Sequence, residues 1–158
     1  MPGKAQRELK QTRPFENDGV EAFVNILRTA DWLARDVEKL LAAHGLTSPQ
    51  YNALRILRGA ARSTPGGGLP CSEVGARMVT RDPDMTRLLD RLEKSRLISR
   101  ARDGNDRRVV NVRITTEGQR VLAALDKPVS ELHARQGRVL TRAEIRRLIA
   151  LLEKLREA

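Results

Sequence analysis

Residues 81–118 read RDPDMTRLLDRLEKSRLISRARDGNDRRVVNVRITTEG, and this stretch decides the fold. Met85, Leu88, Leu89 and Leu92 are spaced i, i+3, i+4, i+7, which places them on one face of a helix predicted over 81–96. On the helical wheel Arg87, Asp90 and Lys94 lie opposite that stripe, flanked by Thr86 and Arg91. Two short strands are predicted next. The first covers 97–102, and in the second Val110, Val112 and Ile114 alternate with Asn111 and Arg113. The turn between them is Asp103-Gly104-Asn105-Asp106, followed at once by Arg107 and Arg108.

A helix with a basic outer face, joined directly to a hairpin with an arginine-bearing tip, has the shape of a winged helix-turn-helix. Such a helix fits a major groove, and the tip can reach a neighbouring minor groove. Pro83, Asp84 and Thr86 stand at the helix start, where base edges are usually met. Arg87 and Arg91 each offer a planar fork that suits guanine O6 and N7, or phosphate. The residues leave open which of the two they contact. Lys94 is expected against phosphate, with Ser72 and Arg77 as further candidates for that role. Arg107 and Arg108 are expected at DNA from the wing, Arg108 in a minor groove narrowed by A·T pairs. Asp106 is expected to hold an arginine, since a carboxylate facing phosphates is repelled.

The chain has 158 residues and a formal net charge of +10. That length suits one domain, and that charge suits a polyanion. From Arg77 to Arg113 there are 11 Lys/Arg against 6 Asp/Glu, so this segment alone carries +5 of the excess. Aromatic residues make up 3%, too few for a base-stacking platform of the kind single-strand binders use. One cysteine permits no intrachain disulfide, which fits a reducing cytoplasm. No apolar run approaches the roughly 18 residues a membrane span needs, and no signal segment is visible. Cys71 stands near the start of a short helix, whose dipole would favour the thiolate, but it reads more simply as a small core or surface residue. Its redox activity stays open. His44 and His133 are too few for a metal site without carboxylates from elsewhere, so none is expected. No HExxH, phosphate loop, nucleophile elbow or CxxC points to an enzyme, and no catalytic residue or cofactor is assigned.

Along the chain, residues 1–17 read as a flexible basic arm. A long helix is predicted from Asp18, with Asp18-Gly19-Val20-Glu21 as its cap and Gly45 as its stop. Thr47-Ser48-Pro49-Gln50 opens a second helix. Ser63–Gly68 is a glycine-rich connection that lacks the Gly-Lys-Ser/Thr of a phosphate loop. A short helix is predicted over 70–78. Thr115 caps a helix reaching about Val139, with a kink expected at Pro128. Thr141-Arg142-Ala143-Glu144 opens the last helix, whose face carries Ile145, Leu148, Ile149, Leu152 and Leu155. The fold class is therefore mainly α with a small β-hairpin wing (α+β). Residues 46–115 form the winged helix-turn-helix. Residues 18–45 and 116–158 form a helical dimerisation region, because the outer helices carry more apolar stripe than one small domain can bury.

Several segments together resemble the MarR-type transcription regulators. Gly45-Leu46-Thr47-Ser48-Pro49-Gln50-Tyr51 is similar to their GLTxxQ(F/Y) motif, and Glu73-Val74-Gly75-Ala76-Arg77-Met78 to their ELAxxL helix. Thr86-Arg87-Leu88-Leu89-Asp90-Arg91-Leu92-Glu93 resembles TRxxDRLE. Asp106-Arg107-Arg108 and Ile114-Thr115-Thr116-Glu117-Gly118 resemble the DxR wing tip and the LTxxG segment that follows. The resemblance implies a homodimer on a pseudopalindromic duplex, gene repression, and release by a small, often phenolic ligand. A small aromatic effector is the one further partner it implies. Three departures stand out: Arg96 occupies the position of a usual glycine, Pro70 replaces a Ser/Thr cap, and Pro128 falls inside the fifth helix. The alternative the residues allow is a sequence-neutral, architectural DNA- or RNA-binding protein.

Overall fold

Asn17, rather than Asp18, opens the first long helix. In the computed structural model, which describes residues 3–82, 84–104, 106 and 108–157, Asn17 Oδ1 accepts the Val20 N–H at 3.0 Å. The cap therefore lies one residue before the expected one, with α2 spanning Asp18–Ala42 after a short α1 at Lys4–Glu8. The chain forms two compact units, one up to Val37 and one from Glu38. Within the first, Arg28 donates to Glu8 at 3.1 Å, and α2 leaves Phe23, Leu27 and Trp32 exposed.

In the second unit α2 ends as the sequence predicts. Gly45 has φ +70°, the left-handed turn that glycine adopts without a side-chain clash. The Leu46 N–H reaches the Leu41 carbonyl at 3.1 Å and the Gly45 N–H reaches that of Ala42 at 3.0 Å. This double bond pattern satisfies carbonyls that a helix end leaves open. Helix α3 (Ser48–Ser63) starts on a complete capping box between Thr47 and Gln50. The glycine-rich connection folds into a 3₁₀ turn at Pro65–Gly67. A Cβ on Gly68 would lie 3.0 Å from the Val112 carbonyl oxygen and 2.8 Å from Arg113 Cγ. That glycine lets the chain approach a strand.

The short helix expected over 70–78 is smaller. Leu69–Pro70 is a strand, β1, paired with Val112 and Asn111, and helix α4 covers Cys71–Ala76. Local pattern could not show β1, because its partner is far along the chain. The next helix, α5, spans Met85–Lys94 and so starts later than 81. Asp82 precedes a proline, which disfavours helical backbone there, and the Asp84 side chain caps the helix by accepting the Arg87 N–H. Strands β2 (Ile98–Arg102) and β3 (Val110–Ile114) pair antiparallel from Ile98↔Ile114 to Arg102↔Val110, giving the sheet order β1-β3-β2. The core of this unit gathers Leu54, Leu57, Val74, Leu89, Leu92, Ile98, Val112, Leu122 and Leu125, all buried. Thr115 caps α6 (Thr116–Gly137), which continues through Pro128 as one helix, and Thr141 with Glu144 forms a full capping box for α7 (Arg142–Leu155). None of the residues of α7 is buried, and Leu148, Ile149, Leu151 and Leu155 are exposed.

Arg58 on α3 clamps Asp126 on α6 through two bonds of 2.8 and 2.7 Å. This guanidinium holds the Asp126 carboxyl below the usual carboxylate range. The clamp's contribution is therefore present at neutral pH and fades as pH falls through that depressed value.

Arg96, between α5 and β2, takes φ +59°. A side chain in this region costs on the order of 1 kcal/mol. Arg96→Gly should raise the unfolding free energy by about 1 kcal/mol, read as a higher urea midpoint at constant m-value. An unchanged or lower midpoint would show that the turn bears no strain.

Candidate nucleic-acid interface

The face of α5 away from the core carries Thr86, Arg87, Arg91 and Lys94, all exposed, while Leu88, Leu89 and Leu92 anchor the opposite face. Asp84 belongs to the frame of this helix: its Oδ1 accepts the Arg87 N–H at 3.1 Å, and its own N–H donates to Asp82 at 2.8 Å. The Arg87 Nε also lies 3.2 Å from Asp84 Oδ2. That side chain is 77% exposed, so water screens the pair and a phosphate or base can displace it at little cost. A groove of about 400 Å³ runs between the start of α3 and α5, with Arg87 and Arg91 among its lining residues. Pro83 lies outside the described residues.

Asp90, which the helical wheel places outward, is drawn inward by an arginine that the sequence reading did not single out. Arg100 on β2 donates from Nη2 to Asp90 Oδ1 at 2.6 Å and to Glu93 Oε2 at 2.6 Å. Its Nε donates to Glu93 Oε2 at 2.9 Å, and its backbone N–H to Glu93 Oε1 at 3.1 Å. Two carboxylates of α5, Asp90 from the outer face and Glu93 beside the apolar stripe, thereby meet on one guanidinium. The available signal was register: with Ile98 facing the core, period-2 alternation puts Arg100 on the same side, where a charge needs partners.

The wing is built on aspartates. Asp103 N–H donates to the Val109 carbonyl at 2.9 Å, and the Val109 N–H to that of Asp106 at 2.9 Å. Asp106 N–H donates to Asp103 Oδ1 at 3.2 Å, and Asn111 Nδ2 to Asp103 Oδ2 at 2.9 Å. Asp106 Oδ1 accepts the Arg108 N–H at 3.0 Å and lies 3.6 Å from its Nε. The Arg108 side chain is 96% exposed, so the aspartate steadies its base while the guanidinium projects into solvent. Arg107 and Asn105 lie outside the described residues.

Other candidates sit around this frame. Ser72 is exposed on α4, and Arg77 donates to Glu73 at 2.8 Å. The turn after α4 is tied to α3, since Asn52 Oδ1 accepts the Val79 N–H at 2.8 Å. Burial pushes the Cys71 thiol up, outweighing the pull of Arg100, which is opposite to the effect expected of a helix start. His44 Nδ1 rests 3.2 Å from the Leu40 carbonyl oxygen. Among the described residues no group of three or more His, Cys, Asp or Glu could hold a metal ion, and no helix is long and apolar enough to cross a membrane.

Comparison with known proteins extends these observations. The model of the MarR family matches residues 46–110. The HTH-type transcriptional regulator TtmR of Methylorubrum extorquens (strain PA1) is 35% identical over 101 residues, 64% of this chain and 49% of that protein. The chain thus spans about half the length of that relative. A crystal structure of a MarR transcription factor from Planctomyces limnophilus is 34% identical, with a TM-score of 0.66 over 88% of this chain and 98% of the other. The MepR–DNA complex of S. aureus shares the fold, with a TM-score of 0.73, 22% identity and coverage of 84% and 93%.

Proposed function

The chain belongs to the MarR family, and from that premise we propose that it is a DNA-binding transcriptional regulator acting as a homodimer on a pseudopalindromic operator. The observation that carries this reading is the outer face of α5. Thr86, Arg87, Arg91 and Lys94 stand free of the core, while Asp90 and Glu93 are turned onto Arg100. A chain of the same fold has been crystallised with DNA. The exposed apolar residues of α2 and α7 are covered by a second copy in this reading. The protein works in the cytoplasm and represses until a small aromatic acid releases it; catalysis has no part in it. Salicylate serves as the first effector probe, read as a shift in melting temperature or as release of the operator.

The test of the DNA reading compares two exposed positions on one helix. Arg87→Ala should cost roughly 1–3 kcal/mol on the operator and relax discrimination at one base pair per half-site. Lys94→Ala should weaken operator and random duplex by the same factor and lower the salt slope by about 1, as loss of one phosphate contact does. Titrations of both duplexes over a salt series measure both effects. Equal losses on the two duplexes for Arg87→Ala would favour the sequence-neutral, architectural reading.

A further inference from the structure

Three features stand out beyond the reading face. The Gly66–Gly68 turn is filled by its approach to Val112 and Arg113. Cys71 is a lone, half-buried thiol. The Arg100 cluster differs, because it joins two elements that the DNA reading uses separately.

We propose that Arg100 is a positioning residue that fastens the wing to the reading helix, so that Arg108 and the arginines of α5 meet DNA as one rigid surface. The inference rests on the proposed DNA contact of the wing. Four hydrogen bonds converge from Arg100 onto Asp90 and Glu93, three of them on Glu93. One of the four comes from the backbone of β2 itself, so Glu93 grips the strand as well as the side chain. The Arg100 side chain is only 25% exposed. Its bonds are charge-assisted and part-buried, with Asp90 and Glu93 themselves 42% and 38% exposed, which makes them stronger than a fully exposed pair. β2 continues through Arg102 toward the aspartate-built tip that carries Arg108. The Arg96 turn between α5 and this hairpin is held by Thr115, which bonds the Arg96 and Leu97 carbonyls at 2.7 and 3.1 Å, and the Arg100 bonds tie the hairpin to α5 further along the strand.

The experiment is a double-mutant cycle on operator binding, with Arg108→Ala measured in the native background and with Arg100→Met. In the native background Arg108→Ala should weaken binding about tenfold, the size of one lost charge-assisted contact. In the Arg100→Met background the same change should cost at least about threefold less, because a wing that is not held gains less from its tip. Arg100→Lys, which keeps one donor group, should restore part of the coupling. A purely structural role would lower the folded fraction but leave the Arg108→Ala ratio equal in both backgrounds, and that equality overturns the proposal. Glu93→Gln serves in place of Arg100→Met if the latter does not fold.

If Arg108→Ala changes nothing in the native protein, the wing's DNA contact fails rather than the fastening. The fastening is then read from hydrogen exchange. Amides of β2 should exchange faster in Arg100→Met, while those of Leu122 and Leu125 in α6 keep their rates. Unchanged β2 exchange overturns it.

Discussion

Gly118→Ala should destabilise the protein by about 2 kcal/mol, although alanine is the better helix former. Gly118 lies in the first turn of α6, where its N–H donates to the capping Thr115 hydroxyl at 3.0 Å. The same Thr115 hydroxyl donates to the Arg96 carbonyl at 2.7 Å, and the Thr115 N–H to that of Leu97 at 3.1 Å. The start of α6 is therefore docked on the corner between α5 and β2. A Cβ on Gly118 would fall inside hard contact with the Leu97 carbonyl oxygen and 2.8 Å from Ile114 Cγ1. The oxygen belongs to the backbone, so no rotamer change can clear it. Overpacking of this kind costs about 1–3 kcal/mol and at times more, against a gain of at most about 1 kcal/mol in helix propensity. Gly59 is the control. It lies in α3 with nothing within 4 Å of its added Cβ, so Gly59→Ala should stabilise by up to about 1 kcal/mol. Urea unfolding of the two variants should move the midpoint in opposite directions. A Gly118→Ala midpoint at or above the native one would show that this corner yields.

The same corner shows what the sequence made legible. The threonine caps at 47, 115 and 141, the stop at Gly45 and the leucine face of α5 all depend on residues within one or two turns, and local pattern finds them. The alternation of β3 and the aspartate-glycine turn placed the hairpin for the same reason. The misses have a different physics. Asn17 and Asp18 are both competent caps, and only the path of the preceding chain decides between them. The start of α5 is readable from Asp82 before Pro83 and from Met85, the first residue of the apolar stripe. β1 exists only through its pairing with β3, a contact between segments far apart in sequence. Arg100 was hidden because arginine is usually a surface residue, and its value comes from Asp90 and Glu93 on another element. At the candidate interface, the exposure of Thr86, Arg87, Arg91 and Lys94 follows from helix period. Which carboxylates stay clear of the DNA-facing side does not.

Replacing Leu148 and Leu155 together by glutamate should convert a dimer into a monomer and cost the operator complex a factor of about 10²–10⁴. Both side chains are exposed on α7, a helix that buries no residue within its own chain. Leaving several large apolar groups in water on one helix forfeits burial worth about 1.5–3 kcal/mol for each full side chain, so a partner surface is the natural outcome. Two glutamates in such an interface would face desolvation without counter-charges, which reverses the gain. The winged-helix core should remain folded, because none of its buried residues comes from α7. Light scattering should give about twice the 17.7 kDa chain mass for the native protein and the single mass for the variant. The loss on DNA follows from geometry: the second half-site is bound as an intramolecular step in a dimer and as a separate encounter in a monomer. Affinity for an isolated half-site should therefore be nearly the same in both proteins. A variant that stays dimeric would remove α7 from the interface, and a native chain that is monomeric at micromolar concentration would remove the two-half-site operator altogether.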